Sequence, residues 1–273
     1  MSEPAVSRLP ALIGVGVCSV LALTGVGAVA LAGPDRALTS NLAEETVTAL
    51  TWTVLAAVWA VRGRPAAVVL VIAAAWGAAA ATGGMALLGA PFSVVAGWVC
   101  TWSWGIAVGL SYTLGVLRAA RWRSSTLLEA AALLSVAMMA IGFATLPTVM
   151  IEEGVEHHNP FALPASPLLS MVGGVLTACT AFAAIAFLAL QLTTPARRRM
   201  ALPALVAAIA GIAGIGVGVL ANEWSHLVQA LTLPLLPLAI SVSAIGTASR
   251  ALRSVGAQLD GAASPSKALS ATL

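Results

Sequence analysis

Long apolar runs separated by short polar links constrain this chain more than any other feature. A hydrocarbon core about 30 Å thick is crossed by about 20 apolar residues of α-helix, and inside it every backbone N–H and C=O must be satisfied internally. The runs are continuous rather than alternating, which selects helices over the strands of a membrane barrel. They fall at about 10–32, 46–61, 66–89, 93–117, 127–150, 167–192, 201–221 and 227–249. The composition agrees: 60% of the 273 residues are hydrophobic and only 8% charged, with a mean hydropathy of +0.99, whereas a soluble domain carries about 25% charged residues. The expected fold is therefore all-α, a polytopic transmembrane bundle of about eight spans over 1–249, followed by a flexible Ser/Ala-rich tail over 250–273.

The first run is too long for the h-region of a signal peptide and has Arg8 alone on its flank, so it is expected to be a retained span. Orientation follows from the basic residues, which collect on the cytoplasmic side of short loops. With the N-terminus inside, Arg8, Arg62, Arg64, Arg118, Arg121, Arg123, Arg197, Arg198, Arg199, Arg250, Arg253 and Lys267 all lie inside. Arg36 alone lies outside, with Asp35, Glu44, Glu45, Glu152, Glu153, Glu156 and Glu223. Both termini are thus expected in the cytoplasm, in a multi-pass protein of the plasma (inner) membrane. The net charge of +3 is assigned to arginines at the anionic inner leaflet of the lipid bilayer, not to nucleic acid.

Within the spans the sequence offers little chemistry. Ionisable groups at membrane depth mark ion-coupled transport, and only Glu129 and Glu223 come near, each beside a span end. Cys18, Cys100 and Cys179 fall in mid-span, where they act as small hydrophobes. The hydroxyls of Thr46, Thr48, Thr51 and Thr53, of Thr101, Ser103, Ser111, Tyr112 and Thr113, and of Thr177 and Thr180 are expected to serve helix packing. Gly105-x-x-x-Gly109 and Gly214-x-x-x-Gly218 fit that role. Trp98, Trp102, Trp104, Trp122 and Trp224 read as interface anchors. Pro234 and Pro237 predict a kink near 230–237, because each removes a backbone donor.

The densest polar stretch is Glu152-Glu153-Gly154-Val155-Glu156-His157-His158-Asn159-Pro160. If the fifth helix runs one turn past the membrane, Glu152 and Glu156 share a face and Glu153 and His157 another. The adjacent histidines then diverge by about 100° and make a poor chelate alone. The third histidine, His226, lies beside Glu223 in an outer loop expected on the same side. Glu153, His157, His158, Glu223 and His226 form a candidate extracytoplasmic metal site for zinc or copper. The competing reading is a solvated loop in which polar residues collect by default.

In layout, residues 45 to 255 resemble the N-terminal multi-span membrane-sensor region of actinobacterial sensor histidine kinases. The match is closest at Asn159-Pro160-Phe161-Ala162-Leu163-Pro164, similar to an NPxGxP-like outer loop. Arg121-Trp122-Arg123 keeps the end of a family inner loop but lacks its Pro-Asp-Gly turn. The basic runs Arg197-Arg198-Arg199 and Arg250-Ala251-Leu252-Arg253 stand where the family has basic steps. The resemblance implies a signal-transduction module of a two-component system, with a histidine kinase as partner. The segment after Arg253 carries no phosphoryl-accepting histidine and no glycine-rich ATP lid.

The expectation is a non-enzymatic integral membrane protein of sensor type, with self-association through small-residue helix faces. The alternative is a permease or membrane scaffold subunit for a small neutral or lipid-like substrate.

Overall fold

In the computed structural model of the protein, residues 8–89, 92–119, 126–152, 155–220 and 225–242 are described. The chain is built of α1 (Arg8–Ala32), α2 (Pro34–Thr39), α3 (Leu42–Val61), α4 (Ala67–Leu87) and α5 (Ser93–Leu110). α5 continues through a π-helical turn, Ser111–Gly115, into α6 (Val116–Ala119). There follow α7 (Thr126–Ala144), an antiparallel hairpin of β1 (Thr148–Glu152) and β2 (Val155–His158), α8 (Ser166–Leu190), α9 (Pro195–Leu220) and α10 (Ser225–Thr232), with a last helical segment at 235–242. The ends of α3 and α4 show why the chain can turn so tightly. Gly63 and Gly89 follow the two C-caps with φ of 63° and 64°, the left-handed conformation that glycine adopts without a Cβ clash.

Among the described residues, six helices are long and apolar enough to cross a membrane: Arg8–Ala32, Ala67–Leu87, Ser93–Ala119, Thr126–Ala144, Ser166–Thr193 and Arg197–Val217. The protein is an integral membrane protein by this criterion. α3 is not among the six, because two glutamates and four threonines dilute its apolar residues. It lies inside the bundle instead, packed against α1, α4 and α10. Twelve of its twenty residues are buried, against four of twenty-five in α1. Polar side chains at membrane depth are tolerated where protein surrounds them, so the polar helix takes the interior and apolar helices such as α1 and α8 face outward.

The core is centred on Trp52, Leu55, Ile72 and Trp76, joined by Val116, Leu117, Leu188, Leu233 and Leu236. Trp76 donates its indole N–H to Ser111 Oγ at 3.1 Å, and Ser111 donates to the Ala107 carbonyl at 2.6 Å. The Trp76 indole, buried at the centre of this cluster, is thereby satisfied by the π turn. Small residues set the helix spacing. A Cβ on Gly142 would strike the backbone of Ser170, and one on Gly173 the backbone of Met139, so α7 and α8 touch main chain to main chain. Gly105 and Gly109 admit Phe143 and Val136 in the same manner, in keeping with the packing role expected of that GxxxG pair, and Gly214 admits Thr232; the surroundings of Gly218 lie outside what is described.

Most span hydroxyls bond back to their own helix. Thr51, Thr53, Thr101, Ser111, Thr113 and Thr180 each donate to a carbonyl three or four residues earlier, at 2.6 to 2.9 Å. Cys18 is buried and Cys179 exposed. The helix carrying Pro234 and Pro237 is interrupted at 233–234, where two turn residues separate α10 from 235–242. That break lies where the missing proline donors predict it.

Two expectations fail. The fifth span ends at Ala144 rather than near 150, and the chain then forms a hairpin, not a further helical turn. Pro147 has no N–H to continue the helix, and β-branched Thr148, Val149 and Ile151 favour the extended strand that replaces it. The second span begins at Leu42, four residues earlier than expected, and so takes Glu44 and Glu45 into its first turn. The tail at 250–273, with Trp122 and Trp224, lies outside the described residues.

Candidate functional site: a polar cavity beside a buried glutamate pair

By sequence Glu44 and Glu45 belong with the acids on the outer side. In the structure they are 1% and 2% exposed. Unfavourable in an apolar bundle, a buried carboxyl persists where dipoles and donors meet it. The first turn of α3 supplies one such field, since unpaired N–H groups at a helix N-terminus favour negative charge. The α3 entry is shaped by Asn41, in the left-handed region at φ 57°, a conformation asparagine tolerates better than most residues.

The two acids meet different surroundings. Glu44 faces the Gln229 carboxamide on α10; with the amide turned so that its nitrogen meets the acid, the orientation that satisfies both groups, it donates to the two carboxyl oxygens at 2.8 and 3.0 Å. Gln229 is itself 8% exposed, so the contact is a buried tie between α3 and α10. The Trp104 indole approaches Glu44 from α5 without closing a hydrogen bond. Glu45 is turned toward α4 and the Cys100 side of α5. The Cys100 thiol donates to its Oε1 at 3.5 Å and lies 3.9 Å from Oε2, a weak partner for a carboxyl. Gly83 provides the room: a Cβ there would lie 3.0 Å from Glu45 Oε2 and 3.1 Å from Cys100 Sγ. Cys100 is thus part of a polar wall, not the inert small hydrophobe expected.

Glu45 and Cys100 line a cavity of about 650 Å³, within the range that holds small-molecule ligands. Arg36, Asn41, Trp104 and His226 are among its other polar and aromatic lining residues, with Ala86, Leu87 and Phe143 as apolar wall. Arg36 donates to the Leu87 carbonyl at 3.0 Å, which fixes the guanidinium at the C-terminal end of α4. Asn41 Oδ1 is buried with no hydrogen-bond partner among the described residues, and so are the Thr46 and Thr48 hydroxyls one turn deeper. Buried acceptors are normally paired, so this end of α3 carries unmet hydrogen-bonding capacity.

The predicted metal residues are dispersed. His157 pairs with Val149 and His158 with Thr148 across the hairpin. Successive strand residues point to opposite faces, so the adjacent histidines are separated more completely than on a helix. His226 stands on α10 and belongs to the cavity. Glu153 and Glu223 lie outside the described residues. Among the described residues no group of three or more His, Cys, Asp and Glu is placed to hold a metal.

The Asn-Pro-Phe motif serves the architecture of the same end. Asn159, 1% exposed, donates to the Ala144 and Leu146 carbonyls at 2.9 and 2.7 Å, and its Oδ1 accepts from the Phe161 N–H at 2.9 Å. Trp98 donates to the same Ala144 carbonyl at 2.7 Å and stacks at 5.3 Å on Phe161. Expected as an interface anchor, Trp98 here caps α7 and holds the loop. The motif on which the family resemblance rests is therefore a staple at the C-terminus of α7.

Comparison with known proteins brings no relative: no family model matches the chain, and neither a curated protein nor a solved structure does.

Proposed function

We propose that the protein is a non-enzymatic membrane receptor module, in which occupancy of the Glu45 cavity is passed to α10 and the segment that follows it. One observation carries this reading. The Glu44–Gln229 tie and part of the cavity wall share one pair of helices, since His226 and Gln229 are both on α10 and Glu44 and Glu45 both on α3. A ligand that pushes on Glu45 or His226 acts on the joint that holds α10 in place. Beyond α10 the break at 233–234 separates that joint from the rest of the last helix, so a small displacement need not be absorbed by one rigid rod. A bias of this kind requires a ligand that binds the two arrangements unequally.

The segregation of basic residues supports eight crossings with cytoplasmic termini, α3 and the 225–242 region being counted with the six apolar helices. On that topology the cavity opens outside and the tail after Arg250 faces a cytoplasmic partner. The sensor-like layout favours a histidine kinase as that partner. A permease for a small solute would draw on the same cavity, and the experiment separates the two. Tagged protein is crosslinked mildly in native membranes and its partners identified by mass spectrometry, with and without residues 250–273. A kinase or response regulator that disappears with the tail is the expected result. Recovery of a transport ATPase subunit, or no tail-dependent partner at all, overturns the receptor reading.

A further inference from the structure

The hydrogen-bonding state of the cavity wall says what kind of group it takes. Its hydroxyl donors are already in use: Thr39, Ser40 and Thr101 each donate to a carbonyl four residues earlier, at 2.6 to 3.0 Å. The Trp104 N–H is turned toward Glu44, and Arg36 and His226 are each engaged in interactions of their own. The acceptors are less well supplied. Glu45 is 2% exposed, and among the described residues its hydrogen-bond donor is a thiol at 3.5 Å. Asn41 Oδ1, on the same wall, is buried without a partner among the described residues. The Glu45 N–H donates to the Asn41 carbonyl at 3.0 Å, so the two residues stand one helical turn apart, within reach of a single ligand group. Two buried acceptors with one weak donor call for a group rich in N–H, and a carboxyl favours a charged one. An ammonium carries three such donors. Trp104 and Phe143 add aromatic rings, which attract a cation, and Ala86 and Leu87 add apolar surface.

We infer that the cavity binds a small primary amine as its ammonium ion, the N–H groups shared between Glu45 and Asn41 and an apolar or aromatic body set against Trp104 and Phe143. The inference rests on the receptor reading above and specifies its ligand. Arg36 has no part in the contact: its guanidinium donates to the Leu87 carbonyl at 3.0 Å, at the C-terminal end of α4, where the carbonyl and the helix dipole offset its charge. Glu44, turned to Gln229, adds a second acid beside Glu45 without taking the ligand's N–H groups. Its role is to hold α10 against the cavity.

Phenethylamine, phenethyl alcohol, phenethyltrimethylammonium and phenylalanine present one aromatic body with the ammonium kept, made neutral, stripped of its N–H groups or joined by a carboxylate. Each is titrated calorimetrically into the full chain in lipid nanodiscs, and Cys100 labelling by a small maleimide is followed by mass spectrometry as a site-specific readout. Phenethylamine is expected to bind at least tenfold more tightly than the other three and to slow labelling of Cys100. Glu45→Gln is expected to weaken it at least tenfold, and Asn41→Gly, which keeps the left-handed backbone at φ 57° while removing the acceptor, at least threefold. Both variants are first checked as monodisperse by gel filtration. A folded variant that binds phenethylamine as the parent does overturns the inference, by placing the ammonium elsewhere. Equal or tighter binding of another probe, with Cys100 protected, overturns the amine while leaving the receptor cavity standing. Labelling of Cys100 that proceeds with no probe bound does the same. If no probe binds and Cys100 resists the maleimide, the cavity is closed and the receptor reading falls with the ligand.

Discussion

The α3 glutamates and the hairpin histidines are two pairs of adjacent polar residues near the same end of the bundle, and the structure treats them oppositely. Glu44 and Glu45 are enclosed, one tied to Gln229 and the other walled by Cys100 and Gly83. His157 is half-buried and His158 exposed, on a hairpin whose strand alternation divides them. In sequence the hairpin pair stands out, because histidines are scarce and the neighbouring acids crowd it. The glutamate pair is inconspicuous, a polar edge to an apolar run. Local density of polar residues is thus a poor guide to a site in a membrane protein. What matters is whether the following helix can be exposed to lipid, and α3, with its four threonines, is poorly suited to that.

This contrast is open to attack by substitution. Glu44→Ala strands the buried Gln229 amide and opens the α3–α10 tie, with an expected loss of about 3 kcal/mol. Thermal and denaturant unfolding in detergent measure it, and a loss below that of the histidine variant would reverse the ranking. Asn159→Ala removes three hydrogen bonds from a buried side chain and is expected to cost about 2 kcal/mol. It also tests whether the hairpin end owes its order to this staple rather than to its charged residues. Gly83→Ala adds a single methyl against Glu45 and Cys100, so the expected cost is about 1 kcal/mol. Maleimide labelling of Cys100 should slow in that variant, and unaltered labelling would show that Gly83 does not shape the wall. The double variant His157→Ala with His158→Ala should change stability by less than about 0.5 kcal/mol. Zinc titration of that protein is expected to match the parent within twofold, whereas a clear loss of affinity would restore the metal site to the hairpin.

Much of the fold was legible for simple reasons. Apolar runs of membrane length mark the helices, prolines mark the break at 233–234, and paired glycines mark close helix contacts. The start of α3 was not, because Glu44 and Glu45 look like loop residues until the helix behind them is seen to be enclosed. The signal was present in Thr46, Thr48, Thr51 and Thr53, which spread hydroxyls around α3 and leave it less lipid-compatible than its neighbours. The hairpin was legible too, in Pro147 and the β-branched residues after it, but the reading of Glu152 to His158 at helical spacing obscured it. Cys100, Arg36 and Gln229 had no local mark at all. They come from α5, α2 and α10, and only the packing of those elements around α3 brings them to one place.

The π turn at Ser111–Gly115 bears on how the chain tolerates insertion and deletion. A π turn holds one residue more than the α-helical turn it replaces. Losing one residue within 111–115 would convert it to an ordinary turn and leave the faces on either side as they are. The same loss at 100–105 would rotate one part of α5 by about 100° relative to the other, carrying Trp98 away from the Ala144 carbonyl or Gly105 and Gly109 away from α7. Reading frames aside, this long helix has one short window in which its length can change by a residue without the bundle having to be repacked.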